Sequence, residues 1–493
     1  MNLEEAPLNR IRDILLANRD DYGEIYLIGG YVRDYLLQKQ NKDLDFSVTK
    51  NAAKAARSIA DCFGGDFYML DHQRETARAL ITVDYVQMVV DVATISGENI
   101  NEDLAKRDFT INAMAVDLAD LNKIIDPLNG RTDLLEHRLK PCSENSFIND
   151  PVRTLRAVRF IQSLSLNYDP QIKQAISKVS KQLKRVSNER IRDELCHIFN
   201  LPYIKKSIQL LVEFDLFIKL FPDLFQLKNI PPQQAHAHNA FAHTLRVVEL
   251  TQLFIESIKN LPQQSENEFI NDVLLLVGKY KNYLVKFLDE LAGKNISINT
   301  LMILAALYHD SGKALIVPTR EDDKVIYPNH AEKSANIVRE RMKALAFSNE
   351  EIQFVNSVIR YHMADELKTI GEEKDPFRSI YRYFREGRDF GVMIGFLHLA
   401  DLIATYENSI SPSRWKLALK SVDKIFNGWF NHYTEVVSPP KLLNGNDLME
   451  KFGLKPGREL GNILEQIREE QAAGIILERN AALEFAEKMI KDI

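Results

Sequence analysis

The sequence predicts a multi-domain protein whose first part is a mixed α/β domain and whose remainder is almost entirely helical. Three observations carry this. The chain has 493 residues, more than a single hydrophobic core accommodates, so roughly two to four domains are expected. Short β-rich runs bounded by polar residues recur only up to about residue 130. From Pro151 onward, Leu, Ile, Phe and Ala instead recur at helical spacing almost to the C-terminus.

An amphipathic stretch from Leu8 to Leu16 comes first. It precedes Ile25-Tyr26-Leu27-Ile28, a strand that ends at Gly29-Gly30 and opens a helix. Further strands are expected at Leu44 to Val48, Ala79 to Val83 and Val86 to Val92. The helical part breaks at Pro222 to Asn239, with its Pro-Pro-Gln-Gln, and at Val436 to Asn446, with its Ser-Pro-Pro and Asn-Gly. Leu261 to Asn271 reads as an inserted polar loop, and Lys441 to Ala473 as a small helical unit around Lys455-Pro456-Gly457. The expected domains are residues 1–135, 136–222, 223–435 and 436–493.

Composition excludes several classes. The chain is 45% hydrophobic and 27% charged, near globular averages, which excludes a disordered protein. A net charge of -6 excludes a uniformly basic coat and leaves nucleic-acid binding to local faces. Cys62, Cys142 and Cys196 are isolated, which argues against a disulfide framework or thiolate zinc site and fits a reducing cytoplasm. The acidic start, Met-Asn-Leu-Glu-Glu-Ala, has no apolar core, and no run approaches the length of a membrane span. No membrane partner is expected.

Candidate chemistry begins at Gly29-Gly30, where backbone amides at a helix start approach phosphate oxygens. Such a glycine pair alone is simply a tight turn. Arg33, one turn into the helix, adds a fork that points back at the same phosphates. In Asp43-Leu44-Asp45, period-two geometry puts both carboxylates on one strand face, a donor pair suited to Mg²⁺. Asp91, in the apolar run Val89-Val90-Asp91-Val92, needs a partner or a metal and is the candidate third carboxylate.

These residues resemble the polymerase-β-like superfamily, specifically class II tRNA nucleotidyltransferases and bacterial poly(A) polymerases. Gly29-Gly30-Tyr31-Val32-Arg33-Asp34 followed by Asp43-Leu44-Asp45 is similar to their first motif. Lys106-Arg107-Asp108-Phe109-Thr110-Ile111-Asn112-Ala113 resembles their Arg-Arg-Asp-Phe-Thr segment, with Lys106 in place of the first arginine. Asp126-Pro127 with Gly130 resembles the next element, and Asn149-Asp150-Pro151-Val152-Arg153 their Glu-Asp-x-x-Arg, with Asn149 in place of the glutamate.

The resemblance implies an α/β nucleotidyltransferase head followed by an all-α neck. It implies catalytic roles for Asp43, Asp45 and Asp91, and nucleotide contacts from Gly29, Gly30, Arg33, Arg107, Asp108, Asn112, Asp150, Arg153, Arg156 and Arg159. Asp150 and Arg153, read as one helical turn apart on one face, offer an acceptor and a donor to a base edge. Cytosine and adenine both present an exocyclic amine beside a ring acceptor, so such a pair accepts C and A and mismatches U and G. The basic run that includes Lys181, Lys184, Arg185, Arg190 and Arg192 is the candidate RNA contact; alone it reads as a solvated face.

A second constellation lies downstream, where seven of the 11 histidines fall between His236 and His398. His243, His309-Asp310 and Asp401, in that order, resemble the ligand set of HD-domain phosphohydrolases, with His330 and His362 as the extra ligands of two-metal members. Lys313 is expected near the substrate phosphate, and the donor set suits Mn²⁺, Ni²⁺ or Co²⁺. His236, His238 and His398 read as structural or surface residues. The resemblance thus implies an all-α HD domain and a small helical tail.

The leading expectation is addition of CMP and/or AMP, from CTP and/or ATP, to the tRNA 3′ end, with an attached phosphohydrolase. The segment Thr94-Ile95-Ser96-Gly97-Glu98-Asn99-Ile100 is short where CCA-adding relatives carry a flexible loop, which resembles enzymes that add only CC. A separate enzyme would then complete the tRNA end. Complete CCA addition, A addition and poly(A) synthesis stay open, as does a phosphohydrolase whose head only binds nucleotide or RNA.

Overall fold

The computed structural model describes all residues except 1–5, 42, 84, 232–238, 263, 293–296, 322–323 and 492–493. His236 and His238 therefore lie outside the described residues. Two compact units form, Met1–Arg190 with Leu210–Lys219, and Ile191–Gln209 with Leu220–Ile493.

The first unit is built on a mixed sheet. Its strands are β1 (Ile25–Ile28), β2 (Asp43–Val48), β3 (Asp66–Asp71), β4 (Thr76–Val83), β5 (Val86–Thr94), β6 (Ala115–Asp117) and β7 (Asp120–Ile125). They lie in the order β3-β4-β5-β2-β1-β6-β7. Only β2 and β5 run parallel, the remaining neighbours being antiparallel. Alternation decides the faces. Ala77, Ala79, Ile81, Val90, Val92, Leu44 and Phe46 are buried on one face, where the helix Ala52–Phe63 packs with its own Ala52, Ala55, Ala56 and Ile59. Small alanines on both partners let the helix lie close to the strands. The opposite face carries Asp43, Asp45, Asp91 and Arg78 in register.

All four expected strands form. The sequence reading missed β3, β6 and β7 for identifiable reasons. β3 is an edge strand with no buried residue, β6 has only 3 residues, and β7 is a polar edge strand. Helices Arg153–Leu164 and Pro170–Val179 follow in the same unit.

Among the described residues the second unit is helical apart from a small hairpin, Thr319–Glu321 with Lys324–Ile326, which the apolar pattern did not reveal. At its centre the helix Ile298–Tyr308 is buried on every side. It packs against Ala240–Lys259, Asn349–Tyr361 and Gly391–Tyr406. The expected break at Pro222 starts late, because Pro222–Phe225 and Gln226–Asn229 are helical turns that bury Leu224 and Leu227. The polar loop also ends early, since Glu268 opens a 25-residue helix. The C-terminal segment has its own core of Leu443, Leu448, Ile463, Ile467 and Ile476, with Phe452, Leu454, Leu460 and Leu464 packed on it. Among the described residues no single helix is long and apolar enough to cross a membrane.

Candidate active site and metal centre

In the first unit, β1 hands over to the helix Gly30–Leu36 at Gly29, whose φ of 70° lies in the left-handed region. A Cβ there would meet Arg107 Nη1 at 3.2 Å and Asp45 Oδ2 at 3.5 Å. Strand end, guanidinium and carboxylate thus converge on one point. The Gly29 amide itself donates to the Met114 carbonyl, 3.2 Å, so it belongs to the sheet.

Arg33 is held rather than free. Its Nε and Nη2 donate to the Asp34 carboxylate at 2.8 and 2.9 Å, and its Nη1 to Asn112 Oδ1 at 2.6 Å. Asn112 Nδ2 in turn donates to Asp108 at 3.2 Å, and Arg156 Nε to the other Asp108 oxygen at 2.7 Å. Burial would raise the Asp108 pKa, but Arg156 and the bonds from Asn112 and the Phe109 amide hold it below the usual carboxylate range. The guanidinium groups of Arg33, Arg156 and Arg159 ring Phe160, at 5.3, 5.6 and 4.7 Å from its centroid. A fixed belt of positive charge results.

Beside this belt Asp45 lies in register with Asp91 of the parallel β5. Both oxygens of Asp91 accept from Arg78 of β4, at 2.7 and 2.8 Å. Burial, reinforced by the charges of Asp91 and Asp43 and opposed by Arg107, pushes the Asp45 pKa up to about 6. Crowded hard oxygen donors with a shortage of positive charge fit a divalent cation such as Mg²⁺. Asp43 and Asp45 would hold it.

The second cluster is more deeply buried. His309 follows the buried helix Ile298–Tyr308, His330 opens the helix His330–Ala344, and His362 caps Asn349–Tyr361. Each donates its Nδ1–H to a backbone carbonyl, Ala306 at 2.8 Å, Tyr327 at 2.9 Å and Ile359 at 2.6 Å. That contact fixes the rings and turns Nε2 inward. Two sets of ligand atoms, from His243, His309 and Asp310 and from Asp310, His330 and His362, lie within 4.8 Å of one another. Asp401 Oδ1 stands 3.0 Å from His243 Nε2 and 3.6 Å from His309 Nε2. The buried His362 Nε2 has no hydrogen-bond partner, as expected of a nitrogen aimed at a metal.

Electrostatics here are well matched. Burial would raise the Asp310 pKa, yet Lys313, 2.6 Å away, with His309, His330 and His243, holds it far below the usual range. Burial would lower that of His309, but Asp310 and Asp401 outweigh it and the pKa is raised. His362, buried beside His309 and His330, is pushed down to about 3 and is neutral. A cavity of about 770 Å³ opens onto Asp310, His330 and Asp401, and carries Lys313, Lys368 and Arg414 on its walls. Asp310 belongs to both sets and would be a ligand to a cation held by either.

Family models match the parts of the chain that carry the two clusters. Family models match in order: the poly A polymerase head domain at residues 25–140, the probable RNA- and SrmB-binding site of polymerase A at 166–227, the HD domain at 240–403, and the putative tRNA nucleotidyltransferase domain 2 at 329–486. The chain belongs to the class II tRNA nucleotidyltransferase family with an HD domain. An A-adding tRNA nucleotidyltransferase of Deinococcus radiodurans is 25% identical over 94% of this chain and 95% of its own. A CC-adding tRNA nucleotidyltransferase of Synechocystis is 24% identical over 94% and 93%. The fold matches a solved complex of a CCA-adding enzyme with ATP, TM-score 0.60, at 22% identity over 98% of this chain and 95% of that one.

Within this nucleotidyltransferase head one expectation is corrected. Asp150 and Arg153 do not stand on one helical face, because Asp150 is extended at φ −147° and the helix begins only at Arg153. The Asp150 carboxylate accepts from Arg190 at 2.7 Å. Arg153 instead donates to the carbonyls of Arg107 and Lys106, at 2.9 and 2.8 Å, and to Ser146 Oγ. The proline at 151 keeps its predecessor out of helical backbone.

The basic run is likewise divided. Lys181, Lys184 and Arg185 are exposed, whereas Arg192 donates to Asp193 and to the Ala346 carbonyl at 2.5 Å. His398 donates its Nδ1–H to the His362 carbonyl, 3.1 Å, a supporting role. Sequence reasoning missed Asn41, which braces Asp34 at 2.7 Å, and Asp103, which accepts from Arg107 at 3.3 Å and from the Ser96 amide at 2.9 Å. It also missed Arg78, whose only signal was its place on the parity of β4 opposite to the buried Ala77, Ala79 and Ile81.

Proposed function

We propose that the chain adds CMP and/or AMP to the 3′ end of tRNA without a template, favouring CC addition. The observation that carries the product is the segment between β5 and the helix Ile100–Ala105. Asn99 caps that helix, Asp103 receives the Ser96 amide, and Lys106 Nζ binds the Ser96 carbonyl at 2.7 Å. A loop this short and this pinned has no reach to re-set the pocket from C to A, so a separate enzyme would complete the end. The named relatives include both CC-adding and A-adding enzymes, and complete CCA addition is the alternative outcome.

In this reading Asp43 and Asp45 hold Mg²⁺, which supplies charge neutralisation at the phosphates and favours the ionised attacking hydroxyl. Gly29 leaves room for the triphosphate beside Asp45, and Arg33, Arg107, Arg156 and Arg159 bind and orient it. Asp108 and Asn112 keep those cations aimed, Arg153 holds the Lys106-Arg107 backbone in place, and the Asp150 carboxylate stands paired with Arg190. Lys181, Lys184 and Arg185, with Arg190 and Arg192 beyond them, face tRNA phosphates. The second unit is a phosphohydrolase in which His243, His309, Asp310, His330, His362 and Asp401 hold Mn²⁺, Ni²⁺ or Co²⁺, and Lys313 meets the phosphate. Residues 1–135, 136–222, 223–435 and 436–493 serve as head, neck, HD domain and tail, and three unpaired cysteines fit a cytoplasmic enzyme.

The test is incorporation of labelled CTP and ATP into tRNA lacking its CCA end. Two C residues and no A are expected; C-C-A would reject the CC reading. Asp43→Ala with Asp45→Ala should abolish incorporation, and retained incorporation would move the site elsewhere. His309→Ala should remove metal-dependent phosphoester hydrolysis and spare addition.

A further inference from the structure

The face of the sheet that carries the carboxylates does not end at them. Register aligns Asp45 with Asp91, Asp91 with Arg78, and Arg78 with Tyr68 of β3, so all four share one face. Leu80 lies on that face opposite Asp66. Tyr68 is 49% exposed, Leu70 49% and Leu80 36%, an apolar patch at the β3–β4 end of the sheet. Three strand spacings of about 4.8 Å put Tyr68 roughly 14 Å from Asp45.

The triphosphate grip occupies the other side of Asp45. Gly29 and Arg33 follow β1, and Arg107 contacts Gly29. β1 flanks β2 on the side away from β5, β4 and β3. Phosphoryl transfer places the attacking and departing oxygens in line. With pyrophosphate leaving toward Arg33, the attacking hydroxyl must come from the side of β5 and β4. The chain that bears that hydroxyl then has to cross the exposed patch.

We propose that Tyr68, Leu70 and Leu80 form the seat of the last unpaired nucleotides of the RNA acceptor, with the Tyr68 ring stacking on a base and Arg78 beside the backbone. This rests on the nucleotide-addition reading above. A phenol flanked by aliphatic side chains offers a sequence-tolerant stacking surface, which suits an end whose terminal base changes with each addition. Arg78 pairs with Asp91 on the path of the attacking hydroxyl, and holds that carboxylate at its position.

The test compares wild type, Tyr68→Ala and Tyr68→Phe in the full-length protein, with tRNA lacking its CCA end, CTP and Mg²⁺. Tyr68→Ala is expected to raise KM for tRNA about tenfold and leave KM for CTP unchanged, and Tyr68→Phe to restore the wild-type KM because it keeps the ring. An unchanged tRNA KM in Tyr68→Ala, or an equal rise in both KM values, overturns the proposal while leaving the addition reading intact. A wild-type protein that adds no nucleotide to any tRNA end overturns both. Thermal unfolding of Tyr68→Ala within a degree of wild type is expected, since the side chain is half exposed.

Discussion

Asp45 and Asp310 are each the most enclosed carboxylate of a candidate metal site, yet their proton affinities move in opposite directions. Around Asp45 the nearest charges include two further carboxylates, Asp43 and Asp91, and its pKa rises to about 6. Around Asp310 stand a lysine and three imidazoles, and its pKa falls. The difference follows from the scaffolds. A strand face repeats its side chains every second residue and gathers like charges in a row, whereas the second site draws ligands from several helix ends that alternate donors and acceptors. The carboxylate face of the head is left short of positive charge until a cation arrives, which suits a metal that comes and goes with the nucleotide. The second site is electrostatically settled beforehand.

The largest expected effect tests that sign. Asp310→Asn removes one partner of a buried cluster and leaves Lys313 without its bonded counter-charge and His309 with Asp401 alone, so the second unit should lose about 3–5 kcal/mol. Asp45→Asn should do the reverse. Because the native pKa of Asp45 lies above its ordinary 3.8, the ionised form costs stability; the cost is absent below about pH 4 and complete above about pH 6. Discounted for partial solvent access, its removal is worth about 1–2 kcal/mol at pH 7.5 in metal-free protein. Denaturant unfolding of the two variants measures both shifts, and shifts of the same sign would remove the contrast.

Most of this was legible before any coordinates. Gly29, Arg33, Asp43 and Asp45 announce themselves through local spacing, and the histidines through their order along the chain. What stayed hidden depends on which distant side chains meet. Arg78 reaches Asp91 across 13 residues and Arg190 reaches Asp150 across 40, and strand register or helix packing brings each pair together. The Asp150–Arg153 reading erred where a local rule was applied too far, since spacing of three means a shared face only if both residues are helical. Asp150, extended ahead of Pro151, is not.

A second, intermediate effect concerns pH. Protons and cations compete for Asp45, so Mg²⁺ affinity of the head should be flat above about pH 6.5 and fall up to tenfold per unit below about pH 6. In the second site the proton in competition sits on His309, whose pKa is raised by Asp310 and Asp401. Metal uptake there should already weaken as pH drops through the neutral range, before the head responds. Isothermal titration with Mg²⁺ and Mn²⁺ from pH 5 to 8 separates the two, and a single common midpoint would show that the sites are not electrostatically distinct.

The smallest effect sharpens the comparison at the level of single ion pairs. Arg78 and Asp91 make a two-pronged contact, but their side chains are 39% and 26% exposed, against 13% and 3% for Lys313 and Asp310. Solvent screens the first pair and not the second. Arg78→Gln should therefore shift the stability of metal-free protein by less than about 1 kcal/mol, and the shift should vanish near 1 M salt. Lys313→Gln should cost about 3 kcal/mol or more, with little response to salt, because it strands Asp310 in a buried site. Urea unfolding of both variants at low and high salt decides between them. An Arg78 effect as large and as salt-resistant as that of Lys313 would mean that the head is as closed as the second site, and the openness that admits an RNA end beside Asp91 would have to be given up.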